Sequence, residues 1–123
     1  MALTEYQGCI VMEVDGQEID IESLDVSEKT GRKLVKTMNK TGRPRGYSKG
    51  ISEITIKVSA VIPVTGDLDW VSIVGAKITV YPVGGGARTS YLDCFTLEIG
   101  KKYKVDGEAM QELSMSALRK VVE

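Results

Sequence analysis

The chain of 123 residues contains no histidine, which removes the side chain most often used as a general base. Without histidine, neither a Ser-His nor a Cys-His arrangement for nucleophilic attack can form. The two cysteines, Cys9 and Cys94, lie far apart without the spacing of zinc ligands, and both fall in strand-like contexts. We therefore expect no enzymatic activity, no metal or cofactor, and two buried free thiols in a reducing compartment.

Long apolar runs and a basic leader are also missing. No stretch approaches the length of a membrane span, and residues 1–6 lack the features of a secretory signal, so we expect neither. The glycines at 84–86 are followed by neither a helix nor a Lys-Ser/Thr pair, which predicts a turn and not a phosphate-binding loop. The length and a hydrophobic content of 42% predict a single domain over residues 1–123.

Acidic residues are absent from one long segment, residues 29–50, which we call the basic segment. It holds eight of the 16 basic residues, whereas the remaining eight share the rest of the chain with all 17 acidic residues, leaving that remainder at −9. The total of −1 therefore hides a strongly divided molecule. Structureless segments this long are uncommon in compact domains, and they tend to be functional or disordered. The eight basic residues are Lys29, Arg32, Lys33, Lys36, Lys40, Arg43, Arg45 and Lys49.

The basic segment has three interpretations: a mobile solvated insertion, a nucleic-acid-binding element, or an element that docks on the acidic surface of another copy. For nucleic acid it offers charge but only one aromatic side chain, Tyr47, on which a base could stack. In self-assembly, the basic segment of one copy would contact the acidic remainder of another copy. Such complementary charges set the relative position of the two surfaces and their association rate. The residues favour assembly over nucleic acid. The candidate assembly residues are Arg32, Lys33, Lys36, Lys40, Arg43, Pro44, Arg45, Gly46 and Tyr47.

Alternation of apolar and polar residues predicts an antiparallel β domain for the rest of the chain, most clearly over residues 51–64. Apolar runs on both sides of Asp15-Gly16 predict a hairpin. In a regular strand Ile21 and Leu24 would lie on opposite faces, and a β-bulge near residues 22–23 would bring both to the core. The hairpin also has an acidic stripe, a candidate partner surface formed by Glu13, Glu18, Asp20 and Glu22.

One short helix is predicted near residues 66–74, because Thr65 or Asp67 can cap it and Gly75 can end it. Residues 110–122 fit a strand and an amphipathic helix equally well, and periodicity alone does not decide between them. The predicted strands lie near residues 5–14, 17–27, 51–64, 76–83, 88–99 and, in the strand interpretation, 110–122.

The run from Gly42 to Pro63, GRPRGYSKGISEITIKVSAVIP, resembles the loop-to-strand segment of tail tube proteins from long, contractile-tailed phages and phage-like particles. Those proteins have an Arg-Pro-x-Gly-aromatic stretch, then a glycine and an alternating strand. A second match is the run DGEA at residues 106–109, which leads into the last segment, LSMSALRKVVE. The residues that match the first motif are Arg43, Pro44, Gly46, Tyr47, Gly50, Ile54, Thr55 and Ile56.

This resemblance implies a mainly β fold, an antiparallel β-sandwich or half-open barrel with one short flanking helix and a long assembly loop at residues 28–50. It implies that six copies close into a ring and that stacked rings form a tube through which DNA passes without tight binding. The loop would contact neighbouring subunits and the next ring. The resemblance also favours the strand at residues 110–122 and makes the acidic stripe a candidate lining of the tube lumen.

The implied partners are further copies of the chain, a tail sheath and tail-end proteins, with no membrane. The implied location is the cytoplasm of a bacterial host before assembly and the virion tail afterwards. Two alternatives are kept: a small β protein that binds nucleic acid through the basic segment, and a component of the type VI secretion inner tube.

Overall fold

A computed structural model of the chain describes residues 2–123 and confirms the mainly β fold. Every strand pairing in it is antiparallel, and none of its helices is long and apolar enough to cross a membrane. The strands are β1 (Ile10–Val14), β2 (Gln17–Ile19), β3 (Ile21–Lys29), β4 (Arg32–Val35), β5 (Gly46–Lys49), β6 (Glu53–Val61), β7 (Val74–Pro82), β8 (Thr89–Lys102), β9 (Met110–Ala117) and β10 (Arg119–Val122).

Eight of these strands form one sheet that curls into a half-open barrel. Its strands lie in the order β2-β1-β7-β8-β9-β6-β3, and β10 pairs with β8 beside that path. The curl comes from β8, whose first residues pair with β7 and β10 while its later residues pair with β9. Strands β2 and β3 remain at the two open edges of the sheet.

The hydrophobic core fills the inside of the curl. Alternate residues of each central strand point inwards, as the period of two in β6 and β9 requires. Burying each large apolar side chain contributes about 1.5–3 kcal/mol relative to exposure, so this face sets the register of the strands. The core includes Met12, Val14, Ile56, Val58, Ala60, Trp70, Ile78, Leu113 and Met115.

The first hairpin and its bulge are confirmed. Asp15 and Gly16 have φ values of 50° and 85°, the left-handed pair that a two-residue turn between twisted strands requires. The Asp15 side chain also accepts a hydrogen bond of 3.0 Å from the backbone N–H of Lys77, which ties the turn to β7. The register of β3 shifts between Ile21 and Ser23, and this shift allows Leu24 to pack on the core along with Ile21.

The predicted helix near residues 66–74 is wrong, because only one 3-10 turn forms there, at Trp70–Ser72. Trp70 is buried and holds the segment against the core. The carbonyl of Ile73 accepts a hydrogen bond from the N–H of Thr96, and β7 begins at the next residue. The Ile73 carbonyl is therefore hydrogen-bonded to the sheet and is not available for a second helical turn.

The strand interpretation of residues 110–122 is confirmed, with a break at Leu118 between β9 and β10. At the other terminus the first strand begins at Ile10, five residues later than predicted. Cys9 is consequently exposed, which corrects the prediction of two buried thiols. Cys94 is buried as expected, and this burial raises the pKa of its thiol to about 11.

Candidate assembly surface

The basic segment leaves the sheet through a close crossing of two backbones. The N–H of Gly50 donates a hydrogen bond of 2.7 Å to the carbonyl oxygen of Gly31. Gly31 has a φ of 79°, and a Cβ added there would lie 2.5 Å from the carbonyl oxygen of Ile51. Only glycine tolerates both conditions, so this crossing fixes the direction in which the basic segment projects.

Beyond the crossing the basic segment folds into a hairpin of β4 and β5, where we predicted a structureless loop. Leu34 lies opposite Tyr47, and Arg32 lies opposite Lys49. The Leu34–Tyr47 pair contributes about 0.2–1 kcal/mol, whereas the opposed cations of Arg32 and Lys49 repel each other. The pairing was not visible as alternation, because each strand is only four residues long and the two are separated by ten residues.

A network centred on Asn39 organises the tip of this hairpin. The Asn39 side-chain amide donates to the Thr37 hydroxyl at 3.1 Å and to the Arg43 carbonyl oxygen at 2.9 Å. Its side-chain oxygen accepts hydrogen bonds from the backbone N–H of Thr41 at 3.0 Å and from the Thr41 hydroxyl. Gly42, with a φ of 68°, donates back to the Asn39 carbonyl oxygen. The tip is therefore held by its own polar groups before any partner binds.

Every residue of the basic segment except Gly31 and Asn39 is exposed. Leu34 and Tyr47 keep 59% and 61% of their surface accessible although they lie opposite each other. The ion pairs that the described residues form all involve cations outside the basic segment. Its positive charges are thus available to another molecule. All nine predicted assembly residues lie on this projection: Arg32 and Lys33 on β4, Gly46 and Tyr47 on β5, and Lys36, Lys40, Arg43, Pro44 and Arg45 between the strands.

The acidic stripe is only partly assembled. Glu13 and Glu18 are directly opposite each other on β1 and β2, which places two like charges side by side. The Tyr81 hydroxyl donates a hydrogen bond of 3.0 Å to Glu13, and the Arg88 guanidinium stacks over the Tyr81 ring. The hydrogen bond to the Glu13 carboxylate raises the pKa of Tyr81.

Glu22 lies on a different surface, an open cavity of about 630 Å³ on the outer face of β3, β6, β8 and β9. We call this surface the polar concavity. Lys57 is its single basic side chain, and serine side chains cover much of the remainder. The sequence contained a usable signal, because these residues are the polar members of the alternating strands, but only the sheet order shows that they converge. The acidic side chains of the polar concavity are Glu22, Asp25, Glu98 and Glu112.

Among residues 2–123, no group of His, Cys, Asp or Glu side chains is arranged to hold a metal ion. The acidic residues of the polar concavity face a cation and hydroxyl groups instead. What the described surfaces offer chemically is charge and shape for a partner.

Comparisons with known proteins place the fold. No protein-family model and no curated protein sequence matches the chain. The sheath/tube terminator of the extracellular contractile injection system PVC, in its extended state, is a solved structure that shares 16% identity over 100% of this chain and 97% of its own, with a TM-score of 0.70. The SPP1 tail tube shares 10% identity over 93% of this chain and 74% of its own, with a TM-score of 0.70. Hcp1 from Flavobacterium johnsoniae shares 12% identity over 92% of this chain and 93% of its own, with a TM-score of 0.55.

These likenesses confirm, at the level of the fold, the resemblance to tail tube proteins. They extend over 92–100% of this chain. At such low identity the shared feature is the fold itself.

Proposed function

We propose that this chain is the structural subunit of a phage or prophage tail tube, in which six copies form a ring and stacked rings form the tube. The observation that carries the proposal is the exposed basic segment, rich in unpaired positive charge, on a fold shared with tube and terminator proteins. The rest of the chain, at −9, supplies the complementary charge on every neighbouring copy.

Repetition makes such contacts significant. One exposed ion pair contributes only about 0.2–1 kcal/mol, but several cations of the basic segment act together, and the contact recurs at every subunit. The open edge at β3 adds a second source of association, since its nine residues are paired on one side only. A free edge of this length is a template for another strand, and closure of a ring removes it.

DNA passage fits an acidic wall, because a surface that repels phosphate lets the polymer slide without binding. The acidic stripe (Glu13, Glu18, Asp20 and Glu22) and the polar concavity are two candidates for this wall. The polar concavity suits the task better, since it combines the carboxylates of Glu22, Asp25 and Glu112 with short hydroxyl side chains and only one basic residue. The acidic stripe then remains as a surface for a neighbouring subunit.

The same proposal assigns the partners and the location. A tube built from this chain requires a tail sheath outside it and tail-end proteins that begin and end it. The subunit acts in the bacterial cytoplasm before assembly and in the virion tail afterwards, as a structural protein without catalytic activity.

The test is assembly of concentrated protein, followed by sedimentation and negative-stain microscopy for rings or tubes. We expect the double variant Arg43→Glu, Arg45→Glu to remain monomeric, because each repeated contact then brings like charges together. Its melting temperature should match the parent, as surface changes of this kind usually stay within about 0.5 kcal/mol.

The matched control is Lys102→Glu, Lys104→Glu, which makes the same change of charge at exposed positions outside the basic segment. This control should assemble. If the Arg43 and Arg45 double variant assembles as well as the parent, the basic segment is not the assembly element.

Nucleic-acid binding is the second candidate, and the exposed basic segment is the observation that favours it. It predicts sub-micromolar duplex binding by fluorescence anisotropy near 150 mM salt. The tube proposal predicts only weak binding that declines steeply with salt, because the acidic remainder opposes the approach of phosphate.

A further inference from the structure

Outside the basic segment, exposed apolar side chains come together where the 3-10 turn meets β7 and β8. Val74 pairs with Phe95 across the two strands, and Leu97 occupies the bulge that follows in β8. Val74 and Leu97 keep 83% and 58% of their surface accessible, and Val71 is exposed on the 3-10 turn, which lies against β8. We call Val71, Val74 and Leu97 the apolar patch.

The charged residues of the two stretches that form the apolar patch are all acidic. The two stretches that form it, residues 69–76 and 93–100, contain three acidic residues and no basic one. Asp93 is already paired with Arg119 at 2.9 Å, whereas neither Asp69 nor Glu98 forms an ion pair within residues 2–123. The apolar patch thus has acidic groups without ion pairs in the stretches that form it, although the Asp69 carboxylate accepts a hydrogen bond of 2.8 Å from the Ser72 hydroxyl.

The hydrogen bonding under this corner is incomplete. The indole N–H of Trp70 and the hydroxyl of Thr96 are buried, and neither has a hydrogen-bond partner among the described residues. Both residues belong to the elements that form the apolar patch, the 3-10 turn and β8. Both atoms are buried, so they do not themselves reach a docking partner, and a contact here depends on the exposed apolar and acidic side chains.

One face of the basic segment has the complementary arrangement. Side chains alternate between the two faces of a hairpin, so the opposed pairs Leu34–Tyr47 and Arg32–Lys49 lie on the same face. An apolar centre with an aromatic ring is therefore flanked by two cations. Interfaces commonly have this composition, with an aromatic or aliphatic centre and a charged rim.

We propose that the Leu34–Tyr47 face of the basic segment packs on the apolar patch of a second copy, with Arg32 and Lys49 against Asp69 and Glu98. This contact rests on the proposed function, and it names the acceptor for the basic segment. It joins two different surfaces, so each copy gives one contact and receives one, which is how rings and stacks propagate.

The remaining apolar exposure on the sheet does not suit the same partner. Leu118 and Val122 are exposed at β10, but Arg119 and Lys120 lie between them in sequence. Both cations are paired, Arg119 with Asp93 and Lys120 with Glu28, so that surface offers the basic segment no unpaired acidic group. It therefore supplies a control position for the experiment.

Cross-linking tests the contact directly. In a Cys9→Ser background, a Leu34→Cys variant is mixed with a Leu97→Cys variant at assembling concentration and oxidised. We expect a disulfide-linked dimer of the two variants, because a disulfide requires Cα atoms within about 7 Å. Mixing Leu34→Cys with Val122→Cys, at a similarly exposed position, should give several-fold less disulfide-linked dimer.

The outcomes are separable. If the Cys9→Ser protein assembles but the Leu97→Cys mixture links no better than the Val122→Cys mixture, the assignment of the acceptor is overturned while the proposed function stands. If the Cys9→Ser protein forms no rings or tubes, the proposed function is overturned and this contact with it.

A charge exchange gives an independent readout. Arg32→Glu or Glu98→Lys alone should raise the concentration needed for assembly about fivefold, the effect of one exposed ion pair. The two changes together should restore it, because every copy then carries the reversed pair. The combination of Glu98→Lys with Lys102→Glu has the same net charge as the first double variant, and we expect it not to recover assembly. Equal recovery in both combinations would contradict the contact.

Discussion

At the scale of single residues, Asn39 is the side chain on which the tip of the basic segment depends. Its amide is the donor in bonds to Thr37 and Arg43, and its carbonyl oxygen accepts from Thr41. A typical hydrogen bond contributes about 0.5–1.5 kcal/mol, so several of them around one side chain can order a short exposed turn.

We expect Asn39→Ala to loosen the tip without unfolding the sheet. Trypsin should cut after Lys40 several-fold faster than in the parent, because the bonds that hold residues 37–43 are lost. The melting temperature should stay unchanged, since the turn covers no part of the core. Ser48→Ala, an exposed change in the same hairpin, is the control. Equal cleavage of the parent and Asn39→Ala would show that the tip is not ordered by this network.

The two thiols should differ in reactivity. Cys9 is exposed, whereas Cys94 is buried and its pKa is raised from the ordinary value of 9.0 to about 11 by loss of hydration. At pH 8 a thiol reagent should label one cysteine in the native protein and two after denaturation, and Cys9→Ser should abolish native labelling. Rapid labelling of Cys94 in native Cys9→Ser protein would contradict its burial.

The raised pKa of Cys94 also has a consequence for stability. The folded protein keeps the proton to higher pH than the unfolded chain does, so the contribution is complete below pH 9 and is lost as pH rises towards 11. Thermal unfolding between pH 8 and 11 should show this decline, and it should be smaller in Cys94→Ala when each protein is compared with itself at pH 8.

At the scale of elements, the crossing of Gly31 and Gly50 governs the direction of the basic segment. Gly31→Ala should reduce assembly the most. An added Cβ would lie 2.5 Å from the Ile51 carbonyl oxygen, and alanine would be strained at this positive φ. Gly42→Ala is the matched control, since its φ is also positive but nothing lies within 4 Å of an added Cβ. We expect Gly31→Ala to lose assembly and Gly42→Ala to retain most of it, measured by sedimentation. Equal effects would mean that the crossing is dispensable.

Elements defined by neighbouring residues could be predicted from the sequence. The Asp15-Gly16 turn and the bulge after Ile21 follow from local turn chemistry and from parity, and both are present. The prediction of a helix near residues 66–74 was wrong because Thr96, on a strand distant in sequence, donates a hydrogen bond to the carbonyl of Ile73. The β4–β5 hairpin was missed for a related reason, as its pairing depends on a turn ten residues long.

At the scale of the whole molecule, the charge division should make assembly depend on salt. Screening shortens the reach of charges to about 8 Å at 0.15 M ionic strength and about 3 Å at 1 M. We expect the concentration required for rings or tubes to rise as sodium chloride increases, while the melting temperature of dilute protein changes little. Sedimentation across a salt series measures this. Assembly that is unchanged or stronger at 1 M salt would show that apolar contacts, and not the charge division, control association.

The candidate surfaces were predictable to different degrees. The basic segment stood out because its charges lie close together in the sequence, with no acidic residue among them. The polar concavity did not, since Asp25, Glu98 and Glu112 come from three strands that only the sheet order brings together. The apolar patch was hidden for the same reason. Leu97 belonged to a predicted strand whose apolar residues were expected to point inwards, and Val74 belonged to the helix predicted near residues 66–74.

The position of the Gly31–Gly50 crossing has a consequence for growth of the polymer. It lies where β3 ends and β6 begins, so the basic segment leaves the sheet from one end only. Because each contact joins a donor surface to a different acceptor surface, an open row of such subunits has two unlike ends. Addition at the two ends then proceeds at different rates, and a subunit clipped within residues 29–50 can be added but cannot be extended. A small fraction of such clipped subunits would set the length of the filament by chain termination.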